Sequence, residues 1–262
     1  MPPLRCAAMI IGRFIPGGEQ KSGMLGDHGH SLDEVRARIG DASGNGNLRD
    51  AVYGGIDGAV TTFAIVAGVA GAGLPSFVIV TLGIANVLAD GFSMAAGNYS
   101  GTKSDLDNLK RLRRIEAKHI DLYPEGELLE LREILRRKGL TGAVLEQATA
   151  EISRNRQAWI DLMLVDEYGV SPVDPAPLRA ATVTFFAFLL TGLVPLLPFI
   201  LGWSSAFSIS IGATLATFFA IGAAKSVWSP TAWWRSGLET LFIGGVAAWI
   251  AYAVGSLFDS GA

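Results

Sequence analysis

Two aspartates lie inside apolar stretches that are long enough to cross a membrane. Asp57 belongs to residues 48–74 and Asp90 to residues 76–99. A charge at the centre of a membrane-spanning helix costs at least about 2.5–3.5 kcal/mol, so such a residue usually has a function. A carboxylate in this position can bind a cation or exchange a proton. The alternative is that both acids only hydrogen-bond to neighbouring groups and help the helices to pack.

The polar and small residues of these stretches recur with the period of a helix. One face of each predicted helix carries them: Asp50, Gly54, Asp57, Thr61 and Gly68 in the first, and Asn86, Asp90, Ser93, Met94 and Gly97 in the second. Because the turn at residues 71–75 is short, the two helices should be antiparallel neighbours. We therefore predict a metal-translocation pathway between them, called the polar seam: Asp50, Asp57, Asn86, Asp90 and Met94.

The ligand types of the polar seam favour certain ions. Mg²⁺ and Ca²⁺ bind through oxygen, whereas a thioether favours softer metals. Two carboxylates, an amide oxygen and Met94 therefore suit a divalent transition metal such as Fe²⁺ or Mn²⁺, bound loosely enough to be released. Met94 is equally well explained as apolar filling, since methionine is common in irregular packing. We expect metal ions and protons as substrates and no prosthetic group.

The composition is that of a membrane protein. Half of the 262 residues are hydrophobic and only 17% are charged, compared with about 25% in typical soluble domains. We predict an all-α polytopic membrane protein with five transmembrane helices and a helical cytoplasmic insertion between spans 2 and 3. The net charge of −3 does not indicate a nucleic-acid partner, and the single Cys6 excludes an internal disulfide.

Four regions are predicted along the chain. They are a flexible tail at 1–47, transmembrane helices 1 and 2 at 48–101, a three-helix domain at 102–172, and transmembrane helices 3–5 at 173–262, with spans at 178–201, 204–224 and 234–258. In the tail, residues 31–39 are typical of a short helix, and Asp27, His28 and His30 are expected to form a surface turn rather than a metal site. The insertion is predicted to contain helices at 109–123, 124–139 and 142–168.

Lysine and arginine fall on alternate loops, which predicts the orientation. The turns at residues 71–75 and 201–205 contain neither, whereas the tail and residues 103–170 and 225–235 do. Since cytoplasmic loops carry the excess of positive charge, the N-terminus and the insertion should be cytoplasmic and the C-terminus outside. The arginine-rich composition favours a bacterial inner membrane, and a vacuolar membrane is expected if the source is eukaryotic.

Two motifs resemble a known family. Asp57-Gly-Ala-Val-Thr-Thr and Ala-Asp90-Gly-Phe-Ser-Met94-Ala-Ala-Gly-Asn-Tyr are similar to the signature of the vacuolar iron transporter family, which also includes the yeast vacuolar Ca²⁺-cross-complementer and nodulin-21-like proteins. The resemblance covers about residues 48–258. It implies a homodimer whose first two spans line the pore, and export of Fe²⁺ or Mn²⁺ from the cytosol by proton antiport. Asp57 and Met94 match translocation ligands, while Asn86 is uncharged where some relatives carry an acid.

The same resemblance implies that the insertion collects metal. The residues that match the family's pattern are Glu116 and His119, Glu127 and Glu130, and Met163, Asp166 and Glu167. Acids spaced i, i+3 share one helix face, so both can reach one ion. His119 is a competent ligand in place of a carboxylate, and Leu164 stands where a second acid is expected. Without the resemblance, these pairs would be attributed to chance on charged helices.

Two other functions compete with transport. The protein could be a membrane-anchored metal-buffering or sensing protein, in which the insertion binds metal and the membrane part only dimerises. An intramembrane aspartyl hydrolase is disfavoured, because no peptidase motif surrounds Asp57 or Asp90.

Overall fold

The computed structural model describes residues 31–40 and 46–258, and its contacts divide the chain into two units, residues 1–42 and 43–262. In the first unit, α1 (Leu32–Gly40) follows Ser31, whose backbone amide donates to a Glu34 carboxylate oxygen at 3.0 Å. The Ser31 hydroxyl in turn accepts from the Glu34 amide, as in a capping box. The short helix predicted in the tail is confirmed. The predicted turn at Asp27, His28 and His30 lies outside the described residues.

The described part of the second unit consists of helices joined by turns and short loops. Its helices are α2 (Gly46–Gly71), α3 (Ser76–Leu122), α4 (Pro124–Arg137), α5 (Gly142–Ser153), α6 (Arg156–Asp166), α7 (Pro177–Leu193), α8 (Leu197–Ile200), α9 (Ala206–Lys225) and α10 (Trp233–Ser256). A 3₁₀ turn, Val194–Leu196, joins α7 to α8, where Pro195 and Pro198 interrupt the span.

Five helical segments of the described chain have the length and apolar composition of membrane spans. They are Asn47–Gly71, Ser76–Leu122, Pro177–Ile200, Ala206–Lys225 and Trp233–Ser256. Many of their large apolar side chains face outward, including Phe77 and Phe92 of α3 and Trp249 of α10. Such surfaces are unfavourable in water but suit the hydrocarbon of a bilayer. The all-α fold with five transmembrane helices is confirmed.

Helix α2 lies at the centre of the bundle and packs against α3, α7, α9 and α10. It touches α7 backbone to backbone. A Cβ on Gly54 would collide with the Thr184 carbonyl oxygen, and a Cβ on Gly58 would lie 2.9 Å from Phe188 Cα. Close approach of this kind needs a residue without a side chain. Further along α2, the carbonyl of Gly68 packs against Gly255 of α10. Gly54 and Gly68, predicted to share the face of the polar seam, therefore serve packing with other helices.

Helix α3 is longer than predicted. The sequence indicated a span that ends near Tyr99 and a separate helix from residue 109, but a single 47-residue helix runs through both. Its polar middle is held by side-chain bonds along the helix. The Ser104 hydroxyl donates to the Ser100 carbonyl at 2.9 Å, and Lys103 pairs with Asp107 at 2.7 Å.

In the insertion, α4 and α6 pack against α3, and α5 packs against α4 and α6. Helix α4 begins at Pro124 and is followed by Gly139 at φ +97°, as predicted. The prediction of a single helix at 142–168 was wrong, because this segment forms two helices, α5 and α6. The Asn155 side chain accepts from the Ala158 amide at 3.2 Å and caps the start of α6.

Candidate metal-binding sites

The residues of the polar seam lie on α2 and α3, which pack against each other, and each of the five side chains is half-buried. Asp57 and Asp90 are near enough to interact electrostatically across the two helices. The Asn86 amide donates to the Thr61 hydroxyl at 3.5 Å, and that hydroxyl donates to the Asp57 carbonyl at 2.9 Å. The two predicted acids and Asn86 therefore come together, with Thr61 as an additional oxygen. This group of oxygens suits a divalent cation or protons.

Asp50, at the other end of the polar seam, is held by a residue that the sequence reasoning missed. The Asn98 amide nitrogen donates to Asp50 Oδ1 at 3.0 Å and to Thr184 Oγ1 of α7 at 2.7 Å. The Thr102 hydroxyl donates to Asn98 Oδ1 at 3.3 Å. These contacts, called the Asn98 bridge (Asn98, Asp50 and Thr184), join α2, α3 and α7. Asn98 follows Asn86, Asp90 and Met94 at four-residue intervals, which was the available signal.

Asp57 is reached from an open cavity of ≈ 620 Å³ at the end where α2 begins and α9 ends. The cavity is lined by Leu48, Arg49, Val52, Tyr53, Ile56, Asp57 and Lys225. Its walls are largely apolar, with a basic residue from each of the two helices. Asp57 is therefore the acid of the polar seam that opens to this cavity.

Five titratable residues of the insertion form a second group, called the acidic cluster: Glu116, His119, Glu127, Glu130 and Glu167. His119 Nδ1 lies 3.3 Å from Glu127 Oε1. Burial, and then the negative charges of Glu116 and Glu130, raise the pKa of Glu127 to about 7. Partial burial and the same two carboxylates also raise the pKa of Glu167. The sequence-predicted i, i+3 pairs of α3 and α4 thus face each other.

Two carboxylates of the acidic cluster are buried with an unpaired oxygen. Glu116 is 1% exposed and Glu127 is 4% exposed, and within the described residues neither Oε2 atom has a hydrogen-bond partner. A buried polar atom without a partner is costly. A cation between these side chains would supply the missing interaction.

Two predicted ligands lie elsewhere. Met163 is fully buried in the apolar core of the insertion with Leu131, Leu135, Leu145 and Trp159. Asp166 is paired with Lys138 of α4 at 2.7 Å. In the described parts of the chain, no three His, Cys, Asp or Glu side chains are grouped closely enough to hold a metal ion as they stand. A metal role for Met163 and Asp166 stays a prediction.

Tyr168 is a further residue that the sequence reasoning did not find. Its hydroxyl donates to Glu116 Oε1 at 2.7 Å. Burial and the hydrogen bond to Glu116 raise the pKa of Tyr168, so its hydroxyl keeps the proton that it donates. A lone tyrosine at the end of a helix gave no signal in the sequence.

The model of the VIT family matches residues 48–256 of this chain. The chain belongs to the VIT family. The match includes the polar seam, the Asn98 bridge and the acidic cluster, as well as all five spans.

Named relatives of this VIT-family chain are similar over most of its length. It is 35% identical to "Vacuolar iron transporter 1" of Arabidopsis thaliana over 79% of this chain and 84% of the relative. It is 32% identical to "Vacuolar iron transporter 1" of Eucalyptus grandis over 94% of this chain and 96% of the relative. A "Vacuolar iron transporter" of Toxoplasma gondii is 32% identical over 88% and 82%.

Proposed function

We propose that this VIT-family protein transports Fe²⁺ or Mn²⁺ across a membrane, out of the cytosol, in exchange for protons. The observation that carries the proposal is the meeting of Asp57 and Asp90 between two membrane spans, with Asp57 open to a cavity. The relatives' names support iron as the ion. Family membership makes the chain a transporter rather than an enzyme, so an intramembrane hydrolase is set aside.

The chemistry of the polar seam supports a transition metal and proton exchange. Asp57 of α2 and Asn86 and Asp90 of α3 offer oxygen ligands. Met94, also on α3, offers a thioether. Fe²⁺ and Mn²⁺ accept the same set, so both remain in the proposal. When the ion leaves, the paired carboxylates can take up protons in its place, since two close acids resist being charged together.

The insertion supports a direction for transport. The acidic cluster carries four carboxylates and an imidazole, a ligand set suited to divalent metals. The positive charge of its loops favours a cytosolic location, where it would collect metal and pass it toward Asp50 and the polar seam. We further propose a homodimer in which α2 and α3 of the two copies line the pathway.

The membrane that holds the protein is proposed from its relatives. Their names place them in the vacuole of plants and of Toxoplasma gondii, which supports a vacuolar membrane. The bacterial inner membrane favoured by the arginine-rich composition stays a prediction. Transport out of the cytosol is the same step in either membrane.

The proposal is tested with purified protein in liposomes. We expect Fe²⁺ or Mn²⁺ flux that requires a proton gradient, with Co²⁺, Zn²⁺ and Ca²⁺ as competitors to rank the ions. Asp57→Asn should abolish the flux, because the neutral amide can neither balance the metal charge nor carry a proton. Asp105→Asn is the matched control, since that acid is exposed on α3. Flux without a gradient, or full activity of Asp57→Asn, would contradict antiport through the polar seam.

The acidic cluster also favours the second function, metal buffering or sensing without transport. Its buried, unpaired carboxylate oxygens are candidate ligands that would need no transport pathway. That function predicts that the full-length protein binds Mn²⁺ in detergent but produces no flux in liposomes under any gradient. The same preparation therefore separates the two functions.

A further inference from the structure

Tyr168 lies just beyond the end of α6 and contacts Glu116 of α3. Tyr168 is half-buried, and its hydroxyl donates to Glu116 Oε1 at 2.7 Å. Glu116 is almost fully buried, and its other oxygen has no partner among the described residues. One oxygen of this carboxylate is thus bound by the protein, while the other has no such bond.

The backbone turns sharply just after Tyr168. Helix α6 is followed by Gly169 at φ +65°, a conformation that side-chain-bearing residues rarely adopt. The Val170 amide donates to the Leu164 carbonyl at 2.9 Å, and the Tyr168 amide to the Met163 carbonyl at 3.4 Å. These bonds end the helix and turn the chain beside α3.

Arg113 of α3 binds the far end of the segment that follows α6, residues 168–174. Arg113 pairs with Asp174 at 2.6 Å and also donates to the Pro172 carbonyl. It lies three residues before Glu116 on α3, so both residues are on one face of that helix. Residues 168–174 are therefore bound to the same face of α3 at both ends.

We infer that Tyr168 is a positioning residue for metal binding in the acidic cluster: it holds one oxygen of Glu116 and leaves the other to bind the ion. Groups that hydrogen-bond to metal ligands orient them, and their loss typically costs about 10–100-fold in metal affinity. The inference rests on the proposed collecting role of the acidic cluster. It assigns a role to a residue outside the predicted ligand set.

The test is Mn²⁺ binding by the full-length protein in detergent, measured by calorimetry in an Asp57→Asn background that silences the polar seam. Tyr168→Phe keeps the ring and removes only the hydroxyl, and it should weaken Mn²⁺ binding by about 10–100-fold. Tyr252→Phe makes the same chemical change on α10, where the ring stacks on Phe207, and should leave the affinity unchanged. In liposomes, with Asp57 restored, Tyr168→Phe should raise the KM for Mn²⁺ and keep the maximal rate, since only loading is impaired.

The outcomes separate positioning from simple structural support. If Tyr168→Phe lowers the thermal midpoint but binds Mn²⁺ as tightly as Tyr252→Phe does, the inference is wrong and the proposed function stands. If the Asp57→Asn background protein binds no Mn²⁺, the collecting role and the inference both fail. In a Glu116→Ala background, Tyr168→Phe should cause a smaller loss than in the parent, because the Glu116 carboxylate is already gone and only the bond of Tyr168 to Glu167 remains to be lost. A full additional loss would contradict the inference.

A second variant tests the same inference if Tyr168→Phe folds poorly. Arg113→Lys keeps the positive charge but replaces the two guanidinium nitrogens that contact Asp174 and the Pro172 carbonyl with a single nitrogen. It should weaken Mn²⁺ binding in the same direction, by a smaller factor, because residues 168–174 lose one attachment. An unchanged affinity would show that the placement of Tyr168 does not depend on this segment and would count against the inference.

Discussion

Single side chains connect the two proposed metal sites to the surrounding helices. Asp50 was predicted as a member of the polar seam, and in the structure Asn98 donates both to it and to Thr184 of α7. The amide of Asn98 is neutral, so it orients the carboxylate without competing for it as a lysine would. If Asp50 belongs to the proposed pathway, this neutral partner would let a divalent ion bind the carboxylate at modest cost.

We expect Asn98→Ala to weaken metal entry. Without the amide, Asp50 is no longer oriented, and the KM for Mn²⁺ flux should rise about tenfold, the equivalent of about 1.4 kcal/mol. Loss of the bridge should also reduce the free energy of unfolding by about 1–3 kcal/mol. Asn108→Ala is the control, since that exposed amide accepts from Arg111 of the same helix and has no other bond among the described residues. An unchanged KM for Asn98→Ala would show that the bridge is not part of the pathway.

The raised pKa of Glu127 predicts that the stability of the protein depends on pH. Its pKa of about 7 in the folded protein lies above the ordinary value of 4.5, so the folded state binds a proton more tightly than the unfolded chain does. The free energy of unfolding should therefore be greatest below pH 4.5 as far as this group is concerned, and should fall as the pH rises through 7. Thermal midpoints between pH 5 and 8 measure this slope. In Glu127→Gln the slope should flatten, and an identical slope in both proteins would contradict the assignment.

At the scale of elements, the packing of α2 against α7 determines how closely the spans approach. Gly58 allows the contact, because an added Cβ would lie 2.9 Å from both Phe188 Cα and Thr191 Oγ1. A Cβ added to Gly97 of α3 would instead meet open space, with nothing within 4 Å. The two glycines are therefore a matched pair.

We expect Gly58→Ala to lower the free energy of unfolding by about 1–3 kcal/mol, because the methyl group overpacks the α2–α7 contact. Gly97→Ala should be neutral or should stabilise the helix by up to about 1 kcal/mol. Thermal unfolding in one detergent compares them directly. Equal effects of the two substitutions would mean that α2 and α7 are not in the described contact.

The spans were predictable, since a run of apolar residues needs no partner to be recognised. The continuity of α3 was not, because Asn98, Ser100 and Gly101 are weak helix formers and suggested a loop. In the structure, Asn98 bonds to Asp50 and Thr184, and the Ser100 carbonyl accepts from Ser104, contacts that local sequence does not reveal. Similarly, helical periodicity predicted the meeting of Asp57 with Asp90. The contact of Asn98 with Thr184 depends on how α7 packs, which local periodicity does not contain.

At the scale of the whole molecule, α3 runs from the polar seam to the acidic cluster. At 1.5 Å per residue, Asp90 and Glu116 are about 39 Å apart along this helix. In physiological salt, the Debye length is only about 8 Å. The charge of an ion bound in the acidic cluster is therefore almost completely screened at the polar seam. If loading of one site alters the other, the signal has to be mechanical: a tilt of α3 by about 5° at Asp90 would displace Glu116 by about 3 Å.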